Sequence, residues 1–308
     1  MYFLRGVRSK LGMAEVGLVK LARVSLGIAA EVVAERRSKY SKKLYSQPQL
    51  LAILVLMRYE DWSLREAEVR LNEHAELRRA LQLRTVPDYS TLCLFVGRLR
   101  EQDLAKALQA VAKKFPGYKA QRGVAVAVDS TGLGRGALSA YYVRRRSEKH
   151  HIVQPWSTWL KWLVVVDVCT GLLLAQSAHP GPSNDSEKLR TLVRQAHELQ
   201  PISEVLADAE FDSERNHLFV REQLRAHSVI PAKRGKPGWR VQGIRAQMRE
   251  NFPHEAYRQR NRIESFFSSV KRKLSQRAPG RLMANRIKQA LLLGLTYNLY
   301  RLKRPFLS

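Results

Sequence analysis

Tyr257, Arg260, Glu264 and Lys271 stand in the stretch YRQRNRIESFFSSVK. On one helix of 3.6 residues per turn, their offsets of 3, 7 and 14 residues gather all four within about 60° of arc. A single acid is thereby set among bases on one stripe. Ile263, Phe266, Phe267, Val270 and Leu274 form a second stripe, turned roughly 90° or more from the first, so one flank of the helix packs while the other faces a site. Upstream, two apolar runs end in carboxylates, VAVAVDST at Asp129 and EVLADAEF at Asp208. Small and β-branched residues dominate both, and each reads as a buried parallel strand. Three acids from distant segments can meet there.

Such a trio suits phosphodiester chemistry. Cutting a phosphodiester at neutral pH requires a strong nucleophile and relief of charge on the leaving oxygen, and two divalent ions roughly 3.5 to 4 Å apart supply both. Hard ions such as Mg²⁺ take oxygen ligands and keep several waters, so a few carboxylates hold them against a phosphate. Asp129 alone would read as a strand-end cap or turn residue; the ordered set with Asp208 and Glu264 is what points to metal. Asp185 and Asp212 each precede an expected helix and read as N-caps, with a supporting place beside the metal site as the alternative. Glu210 is expected to face solvent, and Asp167 to lie mid-strand, near the site or near an arginine. His150 and His151, beside Arg144, Arg145 and Arg146, suit a DNA backbone contact or plain exposure better than zinc, since no second Cys/His pair has ligand spacing. Trp156, Trp159 and Trp162 read as core or hinge packing, and Trp239 as a loop residue.

Those residues sit in a strongly basic chain. Its 308 residues are 45% hydrophobic, enough for one sizeable core and a smaller module, and they carry a formal charge of +27. A polyanionic partner, nucleic acid first, must be considered before any small molecule. The excess is placed unevenly: residues 1–118 hold 21 Lys+Arg against 12 Asp+Glu, while residues 119–308 hold 33 against 15. The part with the three acids is therefore the more basic one. Between 233 and 304 the acids are Glu250, Glu255 and Glu264 among 19 basic residues, a field that concentrates phosphate backbone. Cys93 and Cys169, two cysteines in apolar contexts, read as core fillers in a reducing compartment. The charged, amphipathic N-terminus is not a signal peptide, and no run is long enough for a membrane span.

Three parts are expected: an amphipathic helical segment over 1–39, a helical module over 40–118 that suits DNA binding and, as the alternative, plain packing, and an α/β domain over 119–308. In the module, Ser63 with Glu66 forms a capping box and Asp88 after Pro87 caps a further helix. FPGYKAQRG marks the boundary. Beyond it the expected order is the strand VAVAVDS, the strand ALSAYYVRR, a hairpin in WLVVVDVCTGLLLAQSA turning at Thr170-Gly171, and a helix from Asp185 to Leu199. There follow the strand EVLADAE, a helix, the short strand SVIPAK, a Gly- and Arg-rich loop, the Glu264 helix and a closing helix RIKQALLLGLTYNLYRL. The fold class is α/β, a mixed sheet flanked by helices.

At these residues the chain resembles the DDE transposases of bacterial insertion sequences, in the branch marked by Tyr, two residues, Arg, three residues, Glu, six residues, Lys, found in the insertion-sequence four and five groups. Tyr257, Arg260, Glu264 and Lys271 fit that spacing without a gap. The resemblance also takes in LRTVPDYSTLCLFVGRL, the Asp129 strand and ADAEFD, and so covers most of the chain. Two departures stand out: many relatives have Gly where Glu210 follows the second Asp, and some carry a strand-rich insertion where only residues 209–263 separate Asp208 from Glu264 here. The resemblance implies a ribonuclease H-like core, with Asp129 bridging two Mg²⁺ (or Mn²⁺) ions, Asp208 on one and Glu264 on the other. It implies Tyr257, Arg260 and Lys271 on the DNA of the element's ends. The implied activity is cleavage at those ends and transfer of the freed 3′-hydroxyl to target double-stranded DNA. A homodimer on paired ends, in the cytoplasm with the nucleoid, is the implied setting. A DNA-binding derivative without catalysis and a metal-dependent nuclease without joining are the alternatives. Covalent tyrosine recombination does not fit, since Tyr257 precedes its arginine, and paired-His nickases need an apolar residue between their histidines, where His150 and His151 are adjacent.

Overall fold

The computed structural model describes residues 17–34, 44–116, 118, 123–135, 159–181, 183, 185–233 and 241–302. The expected strand at 137–145, the His150–His151 pair with its arginines, Trp156 and Trp239 lie outside the described residues. Among the described residues six helices come first: α1 (Leu18–Val32), α2 (Gln47–Glu60), α3 (Leu64–Glu73), α4 (Ala75–Ala80), α5 (Tyr89–Arg98) and α6 (Glu101–Lys113). Their starts follow local chemistry. Ser46 with Gln49 and Ser63 with Glu66 close reciprocal capping boxes on α2 and α3, and the Asp88 carboxylate accepts from Thr91 N at 2.8 Å to begin α5. Helix α2 is apolar all round, LLAILVLM, and is accordingly buried, with α1 packed across it.

A five-stranded sheet follows, built from β1 (Val124–Leu133), β2 (Leu160–Asp167), β3 (Leu173–Pro180), β4 (Ile202–Ala207) and β5 (His227–Val229) in the order β3-β2-β1-β4-β5. The first three strands are antiparallel neighbours, while β1–β4 and β4–β5 are parallel. Between β3 and β4 runs α7 (Ser186–Leu199), and after β4 come a 3₁₀ turn (Ala209–Phe211) and α8 (Glu214–Leu218), which continues as a π-helical turn over Phe219–Gln223. Helices α9 (Gly243–Glu250), α10 (His254–Arg258), α11 (Asn261–Lys273) and α12 (Met283–Arg301) complete the described residues. This is the mixed α/β sheet expected, flanked by helices and preceded by a helical region. Among the described residues no helix is long and apolar enough to cross a membrane.

Alternate residues of the central strands feed two cores. Ala127, Trp162, Val164 and Val166 face α11, α12 and the N-terminal helices; Val126, Val128, Leu163 and Val165 face α7 and α8. The run WLVVV is continuous because both of its faces are covered. Trp162 anchors the Glu264 helix, its ring 5.8 Å from Phe266 and 6.0 Å from Phe267. The indole N–H donates to Gln176 Oε1 at 3.0 Å, and Gln176 Nε2 donates to Leu291 O at 2.8 Å, so one glutamine stitches β2, β3 and α12 together. Asn298 adds a second stitch, accepting from Leu173 N and donating to Leu173 O.

Gly294 permits this close approach. A Cβ there would lie 2.1 Å from Gln176 Oε1 and 2.5 Å from Leu173 Cδ2, and Gln176 is held at both ends. Gly294→Ala is therefore expected to lower stability by about 1 to 3 kcal/mol despite the better helix propensity of alanine, read as a lower denaturant midpoint at unchanged slope.

Several expectations need correction. Cys93 and Cys169 are exposed, Cys93 on the outward face of α5 and Cys169 in the β2–β3 turn. Asp167 closes β2 and fixes that turn, accepting from Cys169 N and Thr170 Oγ1. Asp185 and Asp212 cap no helix with their side chains. Asp185 turns inward to Lys161 and His179, Asp212 turns to Arg245, and Ser213 caps α8 in its place. Ion pairing wins at both because their carboxylates are fully buried, where a charge needs a cation more than a cap.

Candidate active site

Register brings the first two acids together. Val128 lies opposite Ala207 across the parallel β1–β4 pair, so the residues that follow, Asp129 and Asp208, emerge side by side. Asp129 shares the sheet face of Ala127, the face that α11 covers. Ser130 N donates to its Oδ1 at 2.7 Å, and Asp208 Oδ1 accepts from Ala209 N at the start of the 3₁₀ turn.

The third acid arrives on α11, but not on one uninterrupted helix. Helix α10 ends at Arg258, and Gln259, Arg260, Arg262 and Ile263 donate to carbonyls three residues back. That tightened turn advances more than 100° per residue, so Tyr257 does not share the uniform stripe expected of it. It stays close all the same: the Arg260 guanidinium carbon is 5.9 Å from the Tyr257 ring centre. Ile263, Phe266, Phe267, Val270 and Leu274 are all buried, as the second stripe requires.

One guanidinium joins the three carboxylates. Arg260 Nη2 is 2.8 Å from Asp129 Oδ2 and 3.5 Å from Asp208 Oδ2, while Nη1 is 3.5 Å from Glu264 Oε1. The Arg260 side chain is only 13% exposed, against 65% for Glu264, so the cluster opens to solvent on the glutamate side. Burial pushes the Asp129 carboxyl up, opposed by the Ser130 N–H and Arg260, with Asp208 and Glu210 adding to the rise. Tyr257 is likewise pushed up, chiefly by burial, so its hydroxyl keeps its proton at neutral pH and remains a donor. Lys271 is exposed two turns along α11 and forms no ion pair with the three acids.

Sequence reasoning missed the other flank. Lys161 Nζ lies 2.7 Å from Asp185 Oδ2 and 3.6 Å from Glu210 Oε2, and His179 Nε2 is 2.9 Å from Asp185 Oδ1. The one available signal was a lysine inside the apolar run WLKWLVVVD. A separate cleft of about 370 Å³, lined by Gly123, Asp167, Cys169, Gln259 and Arg262, lies beside the start of β1, away from the carboxylates.

Among the described residues no three acidic, histidine or cysteine side chains already stand as a metal would draw them. The donor chemistry nonetheless suits a hard divalent ion. Three carboxylates with oxygen donors share one cation, and their charge exceeds what a single guanidinium balances.

Two family models match the chain. The model described as Transposase DDE domain matches residues 120–299, spanning the sheet, the three acids and most of α12. A second, Transposase domain (DUF772), matches residues 21–98, most of α1 through α5. No curated protein matches the chain.

Proposed function

We propose, from the premise that the chain belongs to the DDE transposase family, that Asp129, Asp208 and Glu264 are its catalytic carboxylates and that it both cuts and joins DNA. The observation that carries this reading is the meeting of all three on one cation, Arg260. DDE transposases generally use divalent metal ions; here the three acids would hold two, Mg²⁺ by preference and Mn²⁺ in its place. When bound, the ions polarise the scissile phosphate and favour deprotonation of the attacking hydroxyl.

The residues of the chain do the rest. In the first step water attacks the phosphorus at an element end, the P–O3′ bond breaks, and a 3′-hydroxyl and a 5′-phosphate result. In the second that 3′-hydroxyl attacks a target phosphodiester, forming one P–O bond as another breaks, so joining needs no energy source. Arg260 can fork onto a phosphate, Lys271 can meet one as a point charge, and Tyr257 can donate a hydrogen bond or stack on a base. Their spacing with Glu264 supports a place in the insertion-sequence four and five groups. The basic stretch 233–304 supports tracking of the DNA backbone, and the module over 40–118 is proposed to bind the ends, with two chains working on a paired complex.

A labelled duplex carrying the terminal repeat that flanks the coding region tests this, incubated with target DNA and Mg²⁺ or Mn²⁺. Joined product is expected. Cut product alone would leave a nuclease, and no product a DNA-binding derivative.

A further inference from the structure

We infer that the Arg260 guanidinium and the divalent ions compete for the same carboxylates, so that Arg260 is a latch which DNA must lift before the site takes up metal. This rests on the carboxylate reading above and concerns how that site is regulated.

The contacts are specific. Asp129 Oδ1 accepts from Ser130 N and Oδ2 from Arg260 Nη2, so a cation approaching Oδ2 meets the guanidinium. The same nitrogen reaches Asp208, and the other terminal nitrogen reaches Glu264. A dication on these oxygens would stand against a guanidinium held in place by them, like charge beside like charge in a half-buried setting.

Arg260 is not fully satisfied there. Its Nε is buried and has no hydrogen-bond partner, so the guanidinium is held by its terminal nitrogens alone. A phosphate can take the Nε–H together with one terminal N–H as a parallel pair, which the three separate carboxylates do not provide. The turn at Gln259–Arg260 between α10 and α11 is also where a side chain can swing without unwinding α11. A backbone phosphate of bound DNA therefore draws Arg260 off the acids and opens them to metal. Cleavage is thereby made conditional on DNA being seated.

Mn²⁺ binding to the full chain, read by the electron paramagnetic resonance of the free ion, tests the latch without any turnover. Without DNA, Arg260→Ala and Arg260→Gln are expected to bind Mn²⁺ at least about tenfold more tightly than wild type, as for a site open in no more than a tenth of molecules. Arg262→Ala, which removes a neighbouring charge outside the cluster, should change affinity less than about twofold. With the duplex's own Mn²⁺ uptake subtracted, a 30-base-pair blunt duplex should tighten wild-type binding by a clearly larger factor than it tightens the Arg260 variants.

Equal affinity in wild type and both Arg260 variants overturns the latch, as does an Arg262→Ala gain as large as theirs. A duplex that tightens wild type no more than it tightens the Arg260 variants overturns the hand-over to phosphate. If binding in every one of these proteins matches that of an Asp129→Asn/Asp208→Asn/Glu264→Gln chain, the carboxylate reading itself fails, an outcome separate from failure of the latch.

Discussion

Asp129→Asn, Asp208→Asn and Glu264→Gln are each expected to lower both end cleavage and strand joining by on the order of 10³-fold or more, with DNA binding largely kept. The three acids are proposed to work as one unit on the same ions, so losing one removes most of what the set provides. The triple variant should then be scarcely worse than any single one, the non-additivity that marks groups acting together. Fold loss is easily told apart. Glu264 and Asp208 are exposed enough that their amides should leave the melting temperature nearly unchanged, whereas Asp129 is the more buried and serves as the stricter test of folding. Initial rates on a labelled duplex, beside fluorescence anisotropy for binding, read both halves. A single variant with full activity would remove its residue from the mechanism.

What the sequence shows of this site is the part written in local pattern. VAVAVD and EVLAD announce buried strands because small and β-branched side chains fit a sheet covered on both faces, and the acid at each end is visible as the break in the run. Ser63 with Glu66 and the Ile263–Leu274 stripe are equally local, and the structure bears them out. The misreadings arise where the partner is remote in sequence. An aspartate before a helix looks the same whether it caps the helix or turns inward, and Asp212 finds Arg245 33 residues away. Arg260 meets Asp129 across 131 residues, a contact that spacing along one helix cannot show. The break between α10 and α11 carries no proline or glycine to mark it.

Asp212→Asn is expected to cost about 3 kcal/mol of stability at neutral pH, the low end for breaking a buried ion pair because Arg245 keeps some solvent contact. For a chain of this size that lowers the melting temperature by about 5 °C. The carboxylate is fully buried and accepts from Arg245 Nε and Nη2, the latter at 2.7 Å, and from Lys233 N at 2.8 Å, with His217 Nε2 at 3.6 Å. Beside it, Glu214 accepts from Ile244 N and Arg245 N at the start of α9. Together they fasten the segment leading to Glu264 onto the turn that follows Asp208. Burial alone would raise Asp212, but the nearby His217 ring and the bonds from Arg245 and Lys233 outweigh it and hold the group well below the usual carboxylate range. A depressed native value means the stabilisation is complete above the unfolded aspartate value of about 3.9 and is lost as pH falls toward the native one. The gap between wild type and Asp212→Asn should thus be flat from about pH 5 to 7 and narrow below about pH 4. Arg245→Met should destabilise by a similar amount, and the double variant by clearly less than both together. Denaturant melts of the four proteins at pH 7 and pH 3.5 decide it: a gap that widens on acidification, or single effects that simply add, would mean that the pair does not hold this segment in place.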